Sequence, residues 1–153
     1  MEIVVSSAEL TDPQVQELVT LHQQNMFDIS PPGTSFALDM SGLSGPGISL
    51  YGAWDGVTLI TVGALKRLSP DHAEIKSMRT RPDYLGRGAA KLVLEKIIDV
   101  AQSEGFSRLS LETGTSKEFG PAIGLYTKRG FAAGDAFAGY ENGPHNQCYH
   151  LVL

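Results

Sequence analysis

The sequence predicts one domain of the α/β (α+β mixed) class. Strand-like runs stand before, between and after helical ones, and Asp55-Gly56 divides two apolar runs in the manner of a hairpin. The stretch "RPDYLGRGAAKLVLEKI", Arg81 to Ile97, reads as a strand end, a glycine turn and an amphipathic helix. With 153 residues and 42% hydrophobic content the chain can bury one sizeable core, so the domain is taken as residues 1–153.

"EIVV" at Glu2 to Val5 is a short β-branched run, and Thr11-Asp12-Pro13 then supplies a cap residue and an early proline. A helix follows to about Phe27, with Val15, Leu18, Val19, Leu21 and Met26 near helical spacing. Ser30 to Gly47 is rich in turn formers and reads as a loop, with one helical turn around Ser35 to Met40. "ISLYGAWDGVTLITVGALKRL" holds two strands that pair antiparallel, and Trp54 before the turn is a packing residue. "HAEIKSMRT" makes a third strand, ending where Pro82 cannot donate to a ladder. Gly88 to Glu104 carries Ala90, Val93, Leu94, Ile97, Ile98 and Ala101 as one stripe, stopped by Gly105. "SRLSLET" is the next strand, Pro121 to Arg129 a second, shorter helix ended by Gly130, and "FAAGDAFAGY" and "QCYHLVL" are terminal strands. Strand, turn, helix and strand in the middle form a right-handed crossover.

Seventeen acidic against twelve basic residues give a net charge of −5, which leaves no electrostatic footprint for nucleic acid or an anionic membrane. A cationic acceptor is better tolerated. Cys148 is the only cysteine, so no internal disulfide forms, and it is expected as a strand-core thiol in a reducing cytoplasm. His22, His72, His145 and His150 lack ligand spacing, and no metal is expected. The opening "MEIVVSSAEL" lacks a charged leader with an apolar run, and no segment reaches the roughly 18 apolar residues of a membrane span. A soluble, cytoplasmic protein is therefore expected.

The glycine turn asks for an anion. A helix entrance exposes N–H groups with no partner inside the helix, and the macrodipole gives them partial positive charge. Gly86 and Gly88 let a phosphate approach the backbone and permit φ > 0. A P-loop requires Lys and then Ser or Thr after its last glycine, whereas Gly88 is followed by Ala89-Ala90-Lys91-Leu92. A dinucleotide fingerprint wants a small residue where Lys91 stands, though Glu112 weakly meets its demand for a later acidic residue.

From Glu74 to Phe131 the order and spacing resemble the GNAT superfamily of N-acetyltransferases, whose pyrophosphate turn ends in Gly, one residue, then Gly or Ala, as Gly88 and Ala90 do. Leu85 stands where that family usually has Arg or Gln. Further matches ("SPP", "ALD", "AWDG", "GALK", "EIKSMRT", "LETG", "PA", "LY" and "GF") cover nearly the whole chain and resemble the small bacterial YsnE-like subgroup. Phe36 replaces the His that relatives tend to carry before "ALD", and the C-terminal segment matches only loosely.

The resemblance implies a mostly antiparallel twisted sheet of about six to seven strands, splayed in the middle and flanked by about four helices. It implies acetyl-CoA as co-substrate, with Leu85, Gly86, Arg87, Gly88, Ala89 and Ala90 at the diphosphate. Met78, Arg79 and Thr80 would run beside the pantetheine arm through their backbone, with Thr113 and Ala122 nearby. The reaction implied is direct transfer of an acetyl group to a primary amine of a small molecule or peptide. Tyr126 falls where the family places the tyrosine that protonates the thiolate; its alternative is a core aromatic beside Leu125. Glu74 corresponds to the glutamate that some relatives use as base, against an ion pair with Lys76 or Arg79. Period two puts Glu74, Lys76, Met78 and Thr80 on one face and Ile75, Ser77 and Arg79 on the other. Ser30, Phe36 and Asp39 are candidates for the acceptor side, with helix capping the alternative for Ser30 and Asp39. A homodimer is admitted, since family members often dimerise. A non-catalytic acyl-CoA-binding sensor or partner module on the same fold is the competing function.

Overall fold

The computed structural model describes residues 2–30 and 42–153. Its elements are β1 (Ile3–Ala8), α1 (Pro13–Ile29), β2 (Ile48–Asp55), β3 (Thr58–Ser69), β4 (His72–Thr80), α2 (Ala89–Ser103), β5 (Arg108–Gly114), α3 (Gly120–Arg129), β6 (Ala132–Gly134) and β7 (Asn146–Val152). Among the described residues the strands form one sheet in the order β1-β2-β3-β4-β5-β7-β6, and only the β4–β5 pair is parallel. Three α-helices stand among the described residues where about four were expected. The helical turn expected around Ser35 to Met40 lies outside those residues; beside it, Gly42–Ser44 forms one 3₁₀ turn.

Local chemistry accounts for the helix limits. The Asp12 carboxylate accepts the Gln14 N–H at 2.8 Å, satisfying a donor that α1 cannot, and Pro13 needs no donor at the first position. Val15, Leu18 and Val19 bury against Leu50, Leu59, Val62 and Ala64 on one face of the sheet. Leu21 does not join them; it is 39% exposed. On the opposite face α2 sets Val93, Leu94, Ile97, Ile98 and Ala101 against Ile60, Leu65, Ala73 and Ile75. That stripe starts at Ala89, not Ala90 as the spacing suggested: Ala89, one helical turn before Val93, is buried while Ala90 is half-buried. Gly105, at φ +87°, ends the helix by donating to Gln102, while Phe106 donates to Ala101.

The β2–β3 turn also differs by one position from the sequence reading. Asp55 pairs with Thr58, so Gly56 and Val57 occupy the corners. Gly56 has φ +58° while Val57 stays at negative φ, the type II′ pattern that calls for glycine first. The expected strand "FAAGDAFAGY" shortens to Ala132–Gly134, and the chain beyond it turns Phe137 and Tyr140 inward.

Two features of β4 position the site. Its register against β3 shifts between Val62 and Ala64, and Ser77 takes φ +58°, so one extra residue bulges out. The bulge reverses the alternation beyond it. Met78 joins Ile75 on the α2 face, its sulfur lying over Gly63 where a Cβ would come within 2.3 Å. Arg79 instead reaches α1. The expected shared face of Glu74 and Met78 is therefore wrong, because period two holds only in an uninterrupted strand. The second feature is a short seam: β4 pairs with β5 only at His72↔Arg108, Ala73↔Leu109 and Glu74↔Ser110. Past Glu74 the strands diverge, while β5 continues along β7 to Gly114. The facing edges of β4 and β5 are left without each other as partners, the arrangement that invites an extended ligand.

Candidate active site

One cavity of about 610 Å³ extends from the glycine turn into the divergence of β4 and β5. Its wall includes residues 74–80 of β4, 84–91 of the turn and α2, 111–114 of β5, and Ala122, Leu125 and Tyr126 of α3. The C-terminal end of α1 closes it with His22, Asn25, Met26, Ile29 and Ser30.

At the entrance, Tyr84 donates to Arg81 and Leu85 to Pro82, forming a single turn that delivers the chain to Gly86. Gly86 and Gly88 have φ +77° and +82°, and Gly88 is the N-cap of α2 with no side-chain cap. A Cβ at either position would meet nothing within 4 Å, so left-handed backbone, not crowding, requires glycine, and the space over the turn is open. The first N–H groups of α2 face that space, so the turn fits a diphosphate. Leu85 is 66% exposed, and with no packing to fulfil it contributes backbone at the rim. Arg87 stacks on Tyr84, its guanidinium carbon 5.0 Å from the ring centroid. Gly88→Ala is expected to lower stability by about 1–2 kcal/mol, the cost of left-handed backbone for a residue with a Cβ. Gly88→Asn, more tolerant of that region, should lose less when the two are compared by chemical denaturation.

Deeper in, the sequence-expected residues Met78, Arg79, Thr80, Thr113, Ala122, Tyr126 and Glu74 all line the same cavity. The Thr80 hydroxyl is engaged with that of Thr61 at 2.9 Å, and it is Arg81 that donates its N–H to Ile60 across the ladder. Tyr126 is 6% exposed and packs edge-on against Phe131, centroids 5.7 Å apart. Burial pushes its phenol well above the ordinary range, so it stays protonated. Ser77, at the bulge, keeps a buried hydroxyl without a partner among the described residues. Ser30 lines the cavity at the C-terminus of α1, whereas Phe36 and Asp39 lie outside the described residues.

Glu74 is 2% exposed and its Oε2 gathers two donors. The Tyr140 hydroxyl donates to it at 2.6 Å, and the Lys76 ammonium lies 3.4 Å away while also donating to the Tyr140 oxygen at 2.5 Å. The ion pair weighed for Glu74 is thus present with Lys76, and Arg79 turns elsewhere. Glu112, across the seam, has its carboxyl held above the usual range, chiefly by burial and against the pull of Asn146 and Lys76. Burial, then the Glu74 charge, likewise raises the Tyr140 phenol. Sequence reasoning missed Tyr140, His22 and Asn25. Tyr140 sits in irregular chain 66 residues from Glu74, and no local periodicity links them.

His22 accepts from the Arg79 Nε at 3.2 Å, and Asn25 accepts from Arg79 Nη2 at 2.8 Å. Burial, helped by the Arg79 and Lys76 charges, lowers His22 from 6.5 to about 3. The unfolded chain therefore binds a proton there that the folded chain refuses, and stability is lost as pH falls from about 6.5 toward 3. The slope is up to ~1.4 kcal/mol per pH unit. Denaturation across that range should show a shallower decline for His22→Asn than for the parent.

Fold and seam together are those of an acyl-group transferase. The profile of the Acetyltransferase (GNAT) family matches residues 15–131, and the chain belongs to that family. It is 45% identical over 149 residues to the N-acetyltransferase YedL of Escherichia coli strain K12, covering 97% of this chain and 94% of that one. It is 45% identical over 138 residues to the N-acetyltransferase YsnE of Bacillus subtilis strain 168, covering 90% and 91%, which bears out the resemblance to the YsnE-like subgroup. Among solved structures, the PaiA N-acetyltransferase from Thermoplasma acidophilum, a complex with coenzyme A, superposes with TM-score 0.76 over 100% of both chains at 18% identity. That last likeness speaks for the fold, and the relatives make this chain an N-acetyltransferase. No helix among the described residues is long and apolar enough to cross a membrane.

Proposed function

We propose that the chain moves an acetyl group from acetyl-CoA directly onto a primary amine of a small molecule or peptide, within a ternary complex. The observation that carries this reading is the single cavity joining the helix entrance to the buried Glu74 and Tyr126 through the β4–β5 divergence. Residues 86–90 hold the diphosphate by backbone N–H groups, and the unpaired edges of β4 and β5 hold the pantetheine amides. Acetyl-CoA supplies an activated acyl carbon and a thiolate leaving group.

The remaining work belongs to side chains. An alkyl amine of pKa ~10.4 loses its proton at pH 7 at a cost of roughly 4.6 kcal/mol, so a base is needed. Glu74 takes that proton, directly or through water, and Tyr140 and Lys76 fix the orientation of its carboxylate. A backbone N–H near Met78 polarises the acyl carbonyl. Tyr126 gives its proton to the sulfur; the burial that raises the phenol raises a desolvated thiolate in the same direction, so donor and acceptor stay matched. Cys148 takes no part: it is fully buried in β7, and burial raises its thiol. A single buried thiol supports a reducing compartment, so the cytoplasm is the proposed location.

Thiol release measured over a panel of amines, with calorimetric titration of coenzyme A, tests the proposal. Acceptor-dependent release with intersecting initial-rate lines is expected. Tight coenzyme A binding without acceptor-dependent release would leave only an acyl-CoA-binding module, and parallel lines would replace direct transfer by an acyl-enzyme route.

A further inference from the structure

We propose that the acceptor is an amine that also carries a carboxylate, an amino acid or short peptide, and that Arg79 with Asn25 and His22 forms the subsite for that carboxylate. This rests on the acetyl-transfer reading above and assigns its acceptor class.

The ion pairs of the fold point there. Arg67, Arg81 and Arg129 each meet a carboxylate, of Glu104, Glu17 and Glu95, and the Lys76 ammonium meets Glu74. Arg79 lines the cavity, is only partly exposed, and meets none: its partners among the described residues are the Nδ1 of His22 and the amide oxygen of Asn25. Both are neutral acceptors. Two bonds leave Nη1 and part of Nη2 unused, because a guanidinium carries five N–H donors in a planar fork. A partly desolvated cation with spare donors is completed best by a planar anion, and a carboxylate matches the fork.

His22 strengthens the subsite. Because its Nδ1 accepts from Arg79, the neutral ring carries its proton on Nε2, a donor without a partner among the described residues at the same wall. The bulge at Ser77 is what turns Arg79 to this side of β4. Elsewhere on the cavity wall, Glu74 of β4 and Glu112 of β5 outnumber the Lys76 ammonium, so that part of the cavity favours a cation. Glu74 and Arg79 stand five residues apart on β4 and line the same cavity. An ammonium at Glu74 and a carboxylate at Arg79 are the two ends of an amino acid. A polyamine or aminoglycoside offers no group for the second zone.

The test pairs each of the common amino acids with its carboxamide and its decarboxylated amine. Binding to the coenzyme A-loaded protein is measured by calorimetry alongside acetyl transfer by thiol release. The parent protein is expected to bind and turn over at least one acid better than its matched amide by about tenfold or more, the range for hydrogen bonds to a charged group. In Arg79→Gln that ratio should fall to within about twofold, and Arg79→Lys should recover part of it. Should Arg79→Gln fail to fold, Asn25→Asp serves instead: it keeps the bond to Arg79 and adds a carboxylate that neutralises the subsite, with the same collapse of the ratio expected. Equal binding of acid and amide by the parent, no binding of any acid, or an unchanged ratio in the folded variants would overturn the subsite. A carboxylate preference in binding without thiol release would retract acetyl transfer and keep the subsite, so the two failures are distinguishable.

Discussion

Replacing Tyr126 with Phe is expected to lower kcat by about 10²–10⁴, the range for loss of a positioned acid, with coenzyme A affinity within about twofold of the parent. The ring is 6% exposed and rests edge-on against Phe131, and Phe reproduces that packing while deleting only the hydroxyl. Melting and coenzyme A titration should therefore be nearly unchanged while turnover collapses. A purely structural tyrosine would leave turnover as well as melting close to the parent's, because Phe keeps the ring contact. Thiol release in single-turnover conditions separates the two, because the proton is needed in the chemical step.

The second large effect is expected at Glu74. Glu74→Gln keeps the volume and an oxygen for the Tyr140 hydroxyl, yet removes the charge that takes the amine proton, so kcat/KM should fall by about 10²–10⁴. The same change leaves the Lys76 ammonium, only 9% exposed, without its partner, and removing one member of a buried pair costs about 3–5 kcal/mol. Stability and catalysis can be told apart with Glu74→Gln combined with Lys76→Met: this should recover stability and leave turnover low. Glu112→Gln is the companion measurement. Its carboxyl is held high by burial, and a larger loss there than at Glu74 would transfer the role of base across the seam.

The sequence made the helix entrance legible because glycine placement, proline placement and apolar spacing all act within a few residues. Gly86, Gly88, the stripe from Val93 to Ala101 and the stop at Gly105 all stand where those rules put them. Tyr126 was legible for a different reason, through a family resemblance carried by "LY" and "GF". The polar end of the cavity was not. Ser77 shows no outward sign that it will take φ +58°, and that one residue moves Met78 and Arg79 to faces opposite those that simple alternation gives. Tyr140 and His22 reach β4 from a loop and a helix far away in the chain, so only the assembled fold brings them to Glu74 and Arg79.

The brief parallel pairing at His72 to Glu74 has a mechanical side. Among the described residues it is the only strand ladder between the half of the sheet built from β1 to β4 and the half built from β5, β7 and β6. The two halves resemble leaves on a short hinge, and a thread laid in the gap laces them together. Whatever binds there adds its own adhesion to the hinge, so heat resistance should climb with the amount of thread supplied, by about 2.7 kcal/mol at a hundredfold excess over Kd.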